Sequence, residues 1–222
     1  MATWNVLINN WCVYKYYELP VAKAEKSWPH RKELTKQYIL KLNADILTLQ
    51  EVHPNTFDED FSFMYELGYD YLMEESANRY MRSAIFWRRD KLGFVQVFQK
   101  AHKCQIVQLA VENASSSCDS NPTLVPQKHV FVATCHLSVR DPRRRVRELM
   151  EVLRRTQKMA EQGGISMEKL ALVLTGDFNT WPDIEDSPVR RFLLDNKLDT
   201  DFNAKFPVHE GRAECLVVSG MT

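Results

Sequence analysis

The sequence predicts an α/β sandwich, with two sheets packed face to face and helices outside each. Strands and helices alternate at both ends of the chain, whereas strand patterns follow one another through the middle with few helical interruptions. A length of 222 residues can bury a sizeable core. A single doubly wound sheet would alternate throughout, and the strand-rich centre argues against it.

Thr3 to Ile8 forms the first expected strand. A polar, aromatic loop runs to about Ser27, which can cap the helix spelled by WPHRKELTKQYILKL, with Pro29 tolerated in its first turn. Leu34, Tyr38, Ile39 and Leu42 are the expected inner face of that helix. Asn43 ends it, and Asp45 to Gln50 is a second strand leading into Glu51. Thr56 to Leu67 predicts another helix, with Phe57, Phe61 and Met64 at helical spacing. Strand patterns then occupy about 69–73, 83–88, 93–100 and 104–112, and the lack of helical patterns between them predicts antiparallel pairing.

Residues 113–128, NASSSCDSNPTLVPQK, make a polar surface loop. HVFVATCHLS is a strand, and Pro142 opens a helix expected to turn Val146, Leu149, Met150, Leu153 and Gln157 inward. LALVLTGDFNT, residues 170–180, begins with the short apolar run of a strand covered on both faces. If extended geometry continues, Asp177 and Asn179 point the same way, although Gly-Asp and Asn are also ordinary turn formers. A further helix starts at Ser187-Pro188, and beyond Leu198 the pattern offers one short strand. No internal repeat or linker is visible, so residues 1–222 are expected to belong to a single domain.

Lys plus Arg and Asp plus Glu each number 29, so the whole molecule carries no electrostatic footprint for nucleic acid. The basic patch is RDPRRRVRELMEVLRR. With Val146 inward, Arg144, Arg147 and Arg155 point away from the core, and Arg140 to Arg144 lie just beyond His136. That patch is either a solvated helix face balanced by Glu148 and Glu151 or a phosphate contact through Arg140 and Arg144. Five cysteines without a C-x-x-C pair predict reduced thiols in an intracellular, most simply cytoplasmic, protein. The opening MATWNVLINNW has neither a basic n-region nor a long apolar h-region, and no run approaches the roughly 20 apolar residues of a membrane span, so no membrane association is expected.

Several expected strands end on polar residues suited to one site: Asn5 in TWNVL, Glu51 in ADILTLQEV, His136 in ATCHLS, and Asp177 with Asn179 in LTGDFNT. Carboxylate and carboxamide oxygens are hard ligands that match magnesium or manganese. Beside an ion holding a phosphate oxygen, an Asp can orient or deprotonate water, an Asn can position it, and a His can donate to the phosphate. Each residue alone has an ordinary structural explanation. An ordered set, each member at a strand end, is harder to explain that way.

This ordered set resembles the endonuclease/exonuclease/phosphatase superfamily of metal-dependent phosphoesterases, over roughly residues 3–200. The resemblance implies a four-layer α/β/β/α sandwich of two mixed sheets. It also implies Glu51 as the main magnesium ligand (manganese being the alternative) with Asn5 beside it, Asp177 and Asn179 handling the nucleophile, and His136 on the scissile phosphate. SWPHRKELTKQYILKLNADILTLQEV, with Trp28 and Arg31 as a Trp-x-x-Arg pair, is similar to the branch holding the carbon-catabolite-repressor deadenylases, nocturnin, angel and the 2′-phosphodiesterases. SAIFWRRDKL is similar to a strand of that branch, though Ser83 and the residues before it lack its glycine.

Members of the superfamily carry a further Asp and then a Ser-Asp-His near the C-terminus, and nothing after Asn179 matches; His209 is not preceded by Ser-Asp. The expectation is a C-terminally incomplete domain with impaired turnover. The chain is then a phosphoesterase acting on RNA 3′ ends, poly(A) or nucleotides. The alternative is a degenerate domain kept for binding nucleic acid or protein.

Overall fold

Residues 1–8, 24–75, 80–101, 104–111, 128–166, 170–180, 188–195 and 215–217 are described by a computed structural model of the chain. Residues 113–127 of the expected polar loop, Ser187 and His209 lie outside these.

The apolar opening of β2 (Ile46–Val52) is buried on both faces, as a central strand must be. β1 (Ala2–Asn5), reached across α1 (Trp28–Leu42), lies parallel to it. β4 (Arg82–Arg88) flanks the other side of β2 antiparallel, and β3 (Tyr69–Met73) closes that edge, giving the order β1-β2-β4-β3. The second sheet runs β5 (Leu92–Ala101), β6 (Cys104–Val111), β7 (His129–His136), β8 (Leu172–Asp177) and β9 (Cys215–Val217). β5, β6 and β7 are antiparallel neighbours, as the central run of strands predicts. β8 joins β7 in parallel after α3 (Pro142–Gln162), and β9 joins β8 in parallel beyond α4 (Pro188–Asp195).

Separate apolar clusters define the layers. Ile39 of α1 and Phe57, Phe61 and Met64 of α2 (Phe57–Glu66) pack on Leu47, Leu49 and Phe86 of the first sheet. Ile85, Trp87, Val107, Leu109 and Val132 fill the space between the sheets. Val146, Leu149 and Val152 of α3, with Val189 and Phe192 of α4, cover Ile106, Phe131 and Leu174. The order is helices, sheet, sheet, helices: the α/β/β/α sandwich.

Two helix faces differ from expectation. In α1, Ile39 is buried with Thr35, but Leu34, Tyr38 and Leu42 are 40%, 54% and 52% exposed. These residues recur every fourth position along the flank beside β1, where Trp4 meets Tyr38 edge to face. Among the described residues no strand pairs with the outer edge of β1, and the three side chains beside it stay exposed. Ser27 sits at the N-cap but makes no capping bond, since its hydroxyl donates to the Ala24 carbonyl at 2.6 Å.

In α3, Val146 and Leu149 are buried as expected, but Met150, Leu153 and Gln157 are only partly so. Arg145, Glu148, Val152, Thr156, Met159 and Ala160 complete the buried face instead. Asp141 caps this helix by accepting from the Arg143 N–H.

Candidate active site

Both sheets deliver polar residues to one end of the sandwich. β1 ends on Asn5, and β2 carries Glu51 one residue before its end. β7 and β8 end in register, with His136 opposite Asp177. Beneath them, hydroxyl and amide groups tie the sheets together: Thr48 Oγ1 meets Thr175 Oγ1 at 2.9 Å, and Gln50 Nε2 donates to Thr134 Oγ1 at 3.0 Å. Polar atoms buried this deeply need partners, and pairing across the interface fixes how the sheets sit on one another.

Glu51, His136 and Asp177 converge so that one ligand atom from each lies within 4.8 Å of the others. His136 Nε2 is 3.8 Å from Glu51 Oε1 and 3.9 Å from Asp177 Oδ2. Asn5 Nδ2 donates to both carboxylates, at 2.9 Å to each, while its Oδ1 accepts from the Leu7 N–H. The Ile8 N–H donates to the second Glu51 oxygen at 3.0 Å.

Backbone strain concentrates here. Of the four described non-glycine residues with positive φ, Leu7 (53°), Glu51 (62°) and Asn179 (48°) belong to the site, whereas Asn43 is the C-cap of α1. A left-handed Glu costs about 1–3 kcal/mol, and it sits where the β2–β4 register slips between Leu49 and Val52. The bulge re-aims Glu51 toward the second sheet.

Asp177 and Asn179 do not continue an extended strand. β8 stops at Asp177, whose Oδ1 accepts from the Asn179 N–H at 2.8 Å, the side-chain turn that their residue types favour. The turn leaves Asn179 Nδ2 donating to the Leu137 carbonyl at 2.7 Å, so the pair stays together by turning. Gly176 makes the close approach possible. A Cβ there would lie 2.0 Å from the Cys135 carbonyl oxygen, and its φ of 122° suits glycine.

Arginines reach back from the helices to hold the loops. Arg31, stacked on Trp28, donates through Nη1 to the Val6 and Leu7 carbonyls at 2.8 Å each, which gives the Trp-x-x-Arg pair a structural role beside Asn5. Arg145 Nη1 donates to the Ser138 and Val139 carbonyls at 3.0 and 2.9 Å. Sequence reasoning missed Arg145, and one of its two readings of the basic patch put Glu148 on a solvated face, although that carboxylate is buried. The available signal was helical spacing, since Arg145, Glu148, Leu149 and Val152 share one face.

The basic patch divides on inspection. Arg144 donates to Glu148 at 3.1 Å, and Arg147 lies 3.7 Å from Asp141. Arg140 is exposed and forms no ion pair among the described residues. Burial, then a hydrogen bond with Cys135, pushes the Cys104 thiol well above its usual range, which disfavours the thiolate a nucleophile needs there.

The two carboxylates of this partly buried cluster suit a hard divalent cation, with the imidazole beside them. Asn5, as placed, offers amide hydrogens to the carboxylates and bridges two like charges that would otherwise repel.

Two mixed sheets packed face to face, with helices outside each and a carboxylate–imidazole cluster at one end of the strands, describe an α/β/β/α phosphoesterase fold. The chain belongs to the Endonuclease/Exonuclease/phosphatase family, which it matches over residues 2–197. Carbon catabolite repressor protein 4 homolog 3 of Arabidopsis thaliana is 25% identical over 193 residues, covering 84% of this chain and 39% of that protein. The structure of ANGEL2, a 2′,3′-cyclic phosphatase, superposes with a TM-score of 0.66 at 20% identity, over 88% of this chain and 57% of that one. The human Nocturnin catalytic domain gives 0.55 at 19% identity, over 92% and 74%. The chain thus spans well under two thirds of the first of these relatives, and its similarity lies with the carbon-catabolite-repressor, angel and nocturnin branch. Among the described residues no helix is long and apolar enough to cross a membrane.

Proposed function

We propose that this chain carries a divalent-metal-dependent phosphoesterase centre acting on RNA 3′ ends, poly(A) or nucleotides, with turnover impaired as the chain stands. The convergence of Glu51, His136 and Asp177 from different sheets carries this reading, because nothing in packing requires two carboxylates to meet. Glu51, with Asn5 beside it, would hold magnesium, or manganese in its place. The ion, when bound, would offset negative charge building at phosphorus. Asp177 orients the attacking water and takes its proton, Asn179 keeps that water in line, and His136 donates to a phosphate oxygen. Arg140, exposed four residues beyond His136, would meet a phosphate backbone, and Arg144 would join it only by loosening its bond to Glu148. The reduced-thiol cysteine usage fits an intracellular, cytoplasmic setting.

The impairment rests on the sequence, which offers no Ser-Asp-His beyond Asn179. One lost donor to a developing charge typically costs about 10²- to 10³-fold. Hydrolysis of a short oligoadenylate and of bis(4-nitrophenyl) phosphate should therefore be barely above background, dependent on added magnesium, and absent in Asp177→Ala. Vigorous turnover by the chain alone would show that the centre is complete. If a chain extended with the relatives' Asp and Ser-Asp-His strands stays inactive on every phosphoester tried, the reading gives way to a binding module.

A further inference from the structure

No hydrogen bond from the His136 ring to a protein atom is found among the described residues, so its aim depends on the backbone that carries it. That backbone is held from β8 and from α3. The Leu137 N–H donates to the Asp177 carbonyl at 2.9 Å, and the Leu137 carbonyl accepts from Asn179. The next residue is gripped by α3. Glu148 Oε2 accepts from the Ser138 N–H at 2.9 Å, and Glu148 Oε1 accepts from the Ser138 hydroxyl at 2.6 Å. Arg145 holds the carbonyls of Ser138 and Val139.

Glu148 and Ser138 are 7% and 6% exposed. A buried carboxylate is costly unless its oxygens are filled, and here they are filled by Ser138 and Arg144. A helix that needed only to pack on the sheet would place an apolar residue at this position, like its neighbours Leu149 and Val152.

We infer that Glu148, seconded by Arg145, is a positioning residue that fixes the His136 loop. Resting on the proposed reaction, it sets the angle at which His136 meets the phosphate. Ser138 presents both of its donors to one carboxylate, so rotating the peptide between Leu137 and Ser138 would break bonds at both ends. Glutamine can substitute in part: its oxygen accepts from the Ser138 N–H, and its amide donates to the Ser138 hydroxyl oxygen. Alanine leaves a buried N–H unpaired.

The test uses the full chain labelled with ¹⁵N-histidine and kept metal-free, and assigns the His136 ring signal by its loss in His136→Ala. A single sharp signal is expected in the wild type, a broadened or split one in Glu148→Ala, and a restored one in Glu148→Gln. If Glu148→Ala does not fold, Arg145→Lys, which keeps the charge but loses the two-carbonyl grip, should broaden the same signal. An unchanged His136 signal in a folded variant overturns the inference.

A kinetic arm follows magnesium-dependent hydrolysis of bis(4-nitrophenyl) phosphate by the chain extended with the relatives' Asp and Ser-Asp-His strands, whose turnover stands far enough above background for such losses to be read. Glu148→Ala should lower kcat about 10- to 100-fold with KM unchanged, the scale of a small misplacement. In a His136→Ala background it should have less than about a twofold effect. Full additivity would make Glu148 merely structural and sink the inference. A wild type with no magnesium-dependent hydrolysis counts against the proposed function alone, because the ring signal still decides the role of Glu148.

Discussion

Glu51 concentrates several features in one residue: a bulge, a left-handed backbone, a carboxylate facing the opposite sheet, and bonds from Asn5 and the Ile8 N–H. Its identity and place at a strand end were legible in the sequence, as were those of Asn5, His136 and Asp177. The bulge was not, because a one-residue register slip depends on the partner strand β4 and leaves no periodic trace. Glu51→Gln keeps the shape and removes the charge, so calorimetric titration should show weak manganese binding in the wild type and none in the variant. Equal affinities would remove Glu51 from the ligand set.

At the scale of elements, strands were read more accurately than helix faces. An apolar strand covered on both sides announces itself by composition, and β2, β6, β7 and β8 follow that rule. Helix faces depend on what lies beside them. The stripe of Leu34, Tyr38 and Leu42 has helical spacing and is exposed, whereas Glu148 looks like a surface residue and is buried. Hydrophobicity alone cannot register a carboxylate whose partners come from another element. The β7–β8 pair has a demand of its own, in that Gly176 must let the Cys135 backbone approach before His136 and Asp177 can align. Gly176→Ala meets both a clash with backbone atoms and an unfavourable φ, and should cost about 3 kcal/mol or more. Urea unfolding should show it as a lower midpoint, and a loss below about 1 kcal/mol would mean the strands can separate cheaply.

At the scale of the whole molecule, one of the exposed apolar stretches among the described residues lies on α1. The flank of α1 with Leu34, Tyr38 and Leu42 runs beside the outer edge of β1, which pairs with no described strand. An unpaired edge beside exposed apolar side chains favours association. The isolated chain should bind 1-anilinonaphthalene-8-sulfonate and sediment as a concentration-dependent mixture. A monodisperse monomer that ignores the dye would count against this flank as an associating surface.

The arginine grips have one more consequence. From β1 through α1 to β2, the described elements run strand, helix, parallel strand. The first strand ends on a polar residue, the helix sends an arginine back to the following carbonyls, and the second strand delivers a carboxylate. From β7 through α3 to β8 it does the same, with His136 for Asn5, Arg145 for Arg31 and Asp177 for Glu51. One motif is thus used twice, once in each sheet, and the polar ends of the copies meet at the same cluster. No repeat shows in the letters because only these three positions need correspond. The centre is therefore a seam between twins, and a fault in either copy spoils both.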